Sequence, residues 1–177
     1  MKKYFMGILS NVDIERYVQD GVIKIEPYIK ENVQGATIDF RLGNHFLIPS
    51  YYNDLGKAVI KLNEDFPHEE RITEKITILP HHFILGTTLE KLTLPNYISA
   101  RVDGKSKIGR KGLIVQTAGH IGPGFRGEIT LELFNSAQIP IEVNYGNLIC
   151  QIEFHQLSSK STKGYKGEFL DQKGPKI

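Results

Sequence analysis

Residues 122–135 read GPGFRGEITLELFN, a sharp turn followed by a strand. Ile129, Leu131 and Leu133 fall on one face of that strand, and Glu128, Thr130, Glu132 and Phe134 on the other. A carboxylate in mid-strand beside an aromatic either meets water or serves as a positioned proton acceptor. Just upstream, residues 103–112 read DGKSKIGRKG, with glycines, a serine and four cations. Its amides, the Ser106 hydroxyl and the Lys105, Lys107 and Arg110 side chains form either a phosphate cradle or a solvated basic turn. The spacing of the nucleotide-binding P-loop is absent. Between the two lies QTAGHIGPGFRG, 116–127, where four glycines and a proline expose main-chain groups in tight turns. Such a segment reads a flat base edge, or is a hairpin that binds nothing; His120 within it borders any such pocket.

Other chemistries find no residues. His81 and His82 are adjacent, so on a strand they diverge. His68-Glu69-Glu70 matches the His-x-Glu of zinc deaminases, but their Pro-Cys-x-x-Cys partner needs more than the single cysteine present. No zinc or other protein-held metal is expected. Gly-x-Ser-x-Gly is absent, which leaves covalent catalysis without a nucleophile.

The elements that must position these residues are mostly strands. VIKIEPYI, TIDFRLG, HFLIP, KITILP, HFILGTTLEKLTLP, ISARVDG, GLIVQTAG, GEITLELFN, IPIEVNYG and NLICQIEFHQL are short, β-branched or aromatic, and bounded by turn formers. Their number and spacing predict a mainly β sandwich, barrel or jelly roll. One short N-terminal helix is expected in SNVDIERYVQDG, where Ser10 caps, Ile14, Tyr17 and Val18 form a stripe, and Gly21 stops it. Residues 51–74 are polar and irregular and read as a long loop. The end, SSKSTKGYKGEFLDQKGPKI, is rich in Ser, Lys and Gly, yet Tyr165, Phe169 and Leu170 give it something to dock with. A β domain over 1–157 and a C-terminal tail over 158–177 follow.

Composition narrows the class. The 177 residues are 40% hydrophobic and 24% charged, with a net charge of +2. That is an ordinary globular balance, with neither a nucleic-acid nor a membrane partner expected. The apolar stretch near the N-terminus is too short for a signal peptide. A single cysteine, Cys150, allows no intrachain disulfide and points to a reducing, cytoplasmic setting; in LICQIEF it reads as a small buried residue.

Taken in order, these segments resemble the deoxycytidine triphosphate (dCTP) deaminase branch of the dCTP deaminase/dUTPase superfamily, closest to its bifunctional dCTP deaminase–dUTPase type. VQGATIDFRLG is similar to the family's Gln-Pro-Ala-Ser-Val-Asp-Leu-Arg-Leu-Gly. DGKSKIGRKGL is similar to its Gly-Arg-Ser-Ser-x-Gly/Ala-Arg-x-Gly-Leu. QTAGHIGPGFRGEITLELFN and YKGEFLDQKGP are similar to its central block and closing segment. The resemblance spans 9–175. It implies a distorted jelly roll, or β-clip, that assembles as a homotrimer with sites between subunits and a tail closing over the nucleotide.

The chemistry so implied is hydrolytic deamination of dCTP to dUTP and ammonia. Glu132 matches the catalytic glutamate. Ser106 and the Ala118 carbonyl would hold the attacking water, and Arg110 would keep Glu132 ionised. Lys105, Lys107, Gln116, Thr117, Gly119, His120, Ile121, Gly122, Tyr165 and Gln172 would bind the nucleotide, whose triphosphate carries Mg²⁺. This chain departs from the pattern at several positions. Gly122 replaces the Asp that serves the diphosphatase step, so onward hydrolysis to dUMP and pyrophosphate is expected to be weak. Lys105 replaces Arg, Lys107 replaces Ser, Gly35 replaces Pro, and Glu168 stands where members often have Lys. A dUTP diphosphatase and a catalytically impaired nucleotide-binding regulator are the alternatives.

Overall fold

The computed structural model describes residues 7–50, 61, 63–65, 67–116 and 119–177. Strands follow the period-two alternation. After β1 (Gly7–Ile8) comes helix α1 (Asn11–Gln19), then β2 (Lys24–Glu26), β3 (Thr37–Arg41), β4 (His45–Pro49), β5 (His68–Ile72), β6 (Lys75–Ile78), β7 (Phe83–Thr93) and β8 (Ile98–Gly104). A single helical turn, α2 (Ser106–Gly109), leads to β9 (Leu113–Gln116), β10 (His120–Ile121), β11 (Arg126–Asn135), β12 (Ile141–Asn144) and β13 (Leu148–Gln156).

Two antiparallel sheets dominate. One runs β1-β13-β8-β10, with β3 also on β13; the other runs β5-β4-β7-β11-β9, with β2 also on β7. Their inward rows meet in one apolar cluster that includes Phe40, Ile152 and Phe154 from the first and Phe46, Leu131 and Leu133 from the second, all fully buried. Each contributes about 1.5–3 kcal/mol of transfer free energy. The chain is therefore the mainly β, jelly-roll-like domain that the alternation predicts.

Helix α1 forms where expected. The Ser10 hydroxyl accepts from Asp13 N (3.4 Å) and donates to Asp13 Oδ2 (3.0 Å), a cap of about 1 kcal/mol. Ile14 is wholly buried, with Tyr17 and Val18 packed on the core beside it.

The excursion over 51–74 needs correction at its far end. His68–Ile72 is a strand, antiparallel to β4 from His45↔Ile72 to Pro49↔His68. All five of its residues are exposed, so no buried face writes an alternation into the sequence. The part of that loop over 51–60 lies outside the described residues.

Two buried charge pairs sit beneath the loops. Between Glu128 and Thr130, β7 spends four residues, from Lys91 to Thr87, where β11 spends two. This bulge carries Glu90 inward, where its carboxylate accepts from Arg41 Nε (2.6 Å) and Arg41 N (2.8 Å). Asp39, 3% exposed, pairs with Lys105 at the start of α2. Cys150 is buried near both, and burial pushes its thiol up, with Glu90 and Asp39 adding to the effect. It is an inert core residue.

Candidate functional site

Glu132 sits in the middle of β11, opposite Leu85 on one side and Gln116 on the other. The inner face of β11 is fixed by Ile129, Leu131 and Leu133, all buried. Alternation therefore turns Glu132 outward, but not to open solvent. It lines a cavity of about 390 Å³, within the size range of small-molecule sites. Burial there raises the Glu132 carboxyl above its ordinary value.

The glycine-rich segment forms one wall. Gly119, His120, Ile121 and Gly122 line the cavity, with β10 held against β8 by His120↔Arg101 and Ile121↔Ala100. Val102 N donates to Gly119 O at 2.9 Å, which fixes the turn below His120. Phe83, Leu85, Val102 and Phe125 make the floor apolar.

The roof is the tail. Tyr165 N donates to Pro123 O (2.8 Å), and the Tyr165 ring meets Phe125 edge-on, 5.5 Å between centroids at 71°. Farther on, Gln172 bridges in parallel to Gly127, and Glu128 N donates to Gln172 O at 3.2 Å. This flush contact requires glycine at 127. Its φ is +149°, and a Cβ there would lie 3.1 Å from Gln172 N. The Gln172 side-chain amide donates to Glu128 O (2.6 Å) and Thr130 Oγ1 (3.0 Å), which fixes its orientation. Gly174 N donates to Glu128 Oε2 at 2.7 Å. Asp171 and Arg126 pair at the rim, where the guanidinium holds the Asp171 carboxyl below its usual value. Both are about half exposed, so the pair adds little stability.

Of the residues singled out from the sequence, Glu132, Gly119, His120, Ile121, Gly122, Tyr165 and Gln172 line this one cavity. Gln116 is next to Glu132 in register. Thr117 and Ala118 lie outside the described residues. Lys105, Ser106, Lys107 and Arg110 do not line the cavity. Ser106, Lys107 and Arg110 are exposed on or beside α2, and the Lys105 ammonium is engaged by Asp39. In one chain, therefore, the acid and the cationic loop stand apart, and the shift of Glu132 comes from desolvation with no guanidinium beside it.

Sequence reading did not single out several participants, three of them tied to the tail. Glu128 fastens the tail by its carboxylate, and Lys176 and Ile177 line the cavity. Their roles depend on where a tail with no periodicity lands, so no local pattern signals them.

The family model for dCTP deaminase-like proteins matches residues 8–157. A Sulfurihydrogenibium protein named "dCTP deaminase, dUMP-forming" is 37% identical over 172 residues, covering 94% of this chain and 93% of its own. A Dictyoglomus thermophilum protein of the same name is 42% identical over 183 residues, covering 95% and 92%. Among solved structures, 2'-deoxycytidine 5'-triphosphate deaminase from Agrobacterium tumefaciens superposes with a TM-score of 0.66 at 25% identity. That match covers 85% of this chain and spans 47% of the other.

Proposed function

This chain belongs to the dCTP deaminase-like family, and from that premise we propose that it hydrolytically deaminates dCTP, with Glu132 as the proton-transfer group. The observation that carries the reading is a half-buried carboxylate with a raised pKa, in a nucleotide-sized cavity roofed by the chain's own tail. Water adds to C4 of the cytosine ring; Glu132 accepts one proton of that water and passes it to N3, then takes the proton of the C4 hydroxyl and gives it to the departing amine, so the C4 carbonyl forms as ammonia leaves. The products are dUTP and ammonia. The apolar floor excludes bulk water, and His120 to Gly122 present main-chain groups to the base edge. With Gln172 Nε2 committed to two acceptors, Oε1 is buried and without a partner, and so is free to accept an N–H of the ligand. The nucleotide is taken as its magnesium complex, with the metal held by the phosphates.

Ser106 and the Ala118 carbonyl position the water in this reading, and Arg110 sets the charge of Glu132. The loop carrying Ser106 and Arg110 stands outside the Glu132 cavity of its own chain, which supports an assembly, a homotrimer in this reading, in which a second copy brings it. Removing Arg110 then leaves burial as the remaining influence. Arg110→Ala moves the acid limb of the kcat/KM profile upward by about one to three pH units. A limb that stays in place removes Arg110 from the site.

The product is a separate matter. The relatives are named for forming dUMP, whereas the residues here predict dUTP with weak onward hydrolysis. We assign the slow step to Gly122, which lines the cavity and offers no carboxylate to activate water at the α-phosphate. A Cβ at 122 would lie 3.4 Å from Tyr165 Cδ2, an ordinary contact, so the backbone there tolerates a Cβ. Gly122→Asp should raise dUMP formation from dUTP by about 10²-fold, the low end for a positioned general base; no gain counts against this assignment. Incubation with dCTP and Mg²⁺, measuring ammonia, dUTP and dUMP separately, tests the whole reading. Ammonia with accumulating dUTP is expected. Pyrophosphate from dUTP without ammonia from dCTP would make the protein a diphosphatase, and no product at all would make it a nucleotide-binding regulator.

A further inference from the structure

We propose that His45 is a positioning residue for the reaction: its ring is the seat on which Gly174 of the tail rests, and through that contact it holds the roof of the Glu132 cavity in place. The catalytic readout of this proposal rests on the nucleotide reading of that cavity; the docking contact itself does not.

The tail is a partition between two cavities. Gln172 lines the Glu132 cavity, whereas Lys173 and Gly174 line a second one of about 430 Å³, together with Asn44, His45, Glu128 and Tyr145. His45 does not line the Glu132 cavity, so it stands behind the roof and away from the reacting groups. It opens β4, a strand that reaches β11 only through β7. The tail spans that distance. It is hydrogen-bonded to β11 at Gly127 and Glu128, and two residues later Gly174 lies against β4.

The fit at Gly174 is close. Gly174 and Pro175 are buried, and Gly174 has a φ of +73°, the left-handed region that favours glycine. A Cβ built there would overlap Nδ1 and Cε1 of His45. Position 174 is therefore glycine for two separate reasons, and its backbone lies flush on the ring edge. The ring is held from its other side, where Nε2 lies 2.5 Å from Glu70 Oε1 on β5, and the His45 side chain is only 24% exposed. Gly174 N donates to Glu128 Oε2 at 2.7 Å. That bond fixes the direction in which the tail is pulled. The ring fixes how deep it settles, and with it the height of Gln172 two residues earlier.

The test is a double-mutant cycle on the full chain. It is read by limited proteolysis after residue 157 without nucleotide, and by steady-state ammonia release from dCTP with Mg²⁺. His45→Ala should raise both the cutting rate and the KM for dCTP about tenfold, the usual scale for one lost packing contact. Its kcat should stay within about twofold, because saturating nucleotide draws the tail shut. His45→Asn, which keeps an atom near the place of Nδ1, should recover most of the loss. Gly174→Ala should cost about 100-fold on the same readouts, from overlap with the ring plus left-handed strain. In the His45→Ala background it should cost only about tenfold, the strain alone, and that shrinkage is the coupling between the two residues. Equal costs of Gly174→Ala in both backgrounds overturn the proposal. So does a His45→Ala enzyme whose kcat falls while KM and cutting rate stay put, since the ring would then serve the fold and not the roof. A wild type that releases no ammonia from dCTP overturns the nucleotide reading, while the cutting rates still decide the seat.

Discussion

Glu132→Gln stops ammonia release from dCTP while the protein stays folded. Glutamine keeps the size and the hydrogen-bonding edge of glutamate but accepts no proton at the pH of the reaction. The loss expected for a positioned acid–base group is about 10²–10⁴-fold in kcat. The same substitution carries a second, opposite signature in stability. Burial raises the folded-state pKa of Glu132 above its unfolded value. Between those two values the native chain holds the proton more firmly than the unfolded chain, so stability falls as pH rises through that window. Above it, the wild type carries a desolvated charge that the glutamine variant lacks. In an Arg110→Ala background, where burial alone acts on Glu132, the glutamine variant should therefore melt higher than its parent near pH 8, with the gap closing below the ordinary glutamate range. Coupled ammonia assays and thermal melts at both ends of the range read the two effects. Wild-type turnover in the variant would end the mechanism, and equal melting differences at both pH values would place the carboxylate in water.

Gln172→Ala should lower kcat/KM for dCTP about 100-fold. The side chain supplies two hydrogen bonds that hold the roof down, to Glu128 O at 2.6 Å and Thr130 Oγ1 at 3.0 Å. At about 0.5–1.5 kcal/mol each, their loss alone is worth roughly a five- to hundredfold shift toward the open tail, and the buried, unpartnered Oε1 goes with them. The fold should be untouched, because the core cluster draws on the sheets and not on Gln172. Limited proteolysis reports the tail directly, and the variant should be cut after residue 157 faster than wild type. An unchanged cutting rate together with unchanged kcat/KM would separate the tail from the site.

The fold was readable in the sequence wherever one face of a strand is buried. HFLIP and ISARVDG coincide with β4 and β8 end to end, and the centre of β11 shows the strict alternation that first set Glu132 apart. His68–Ile72 escaped because every side chain in it meets solvent, and β1 and β10 escaped because two residues cannot display a period. The site was readable for residues that lie in compact motifs. Lys105 is different. The charge that binds it comes from Asp39, 66 positions earlier, and reaches it because β13 pairs with both β3 and β8. Glu128 and Lys176 acquire their roles only once the tail has crossed back over β11, a long-range event that leaves no trace in neighbouring residues.

The segment that covers the cavity is stitched, main chain to main chain, onto the very strand that presents the acid. Whatever free energy a docked cover lends to a guest beneath it, the guest must return to the cover in equal measure. Capture and enclosure are then one equilibrium viewed from two ends, and a compound too short to touch the cover is held by the floor alone.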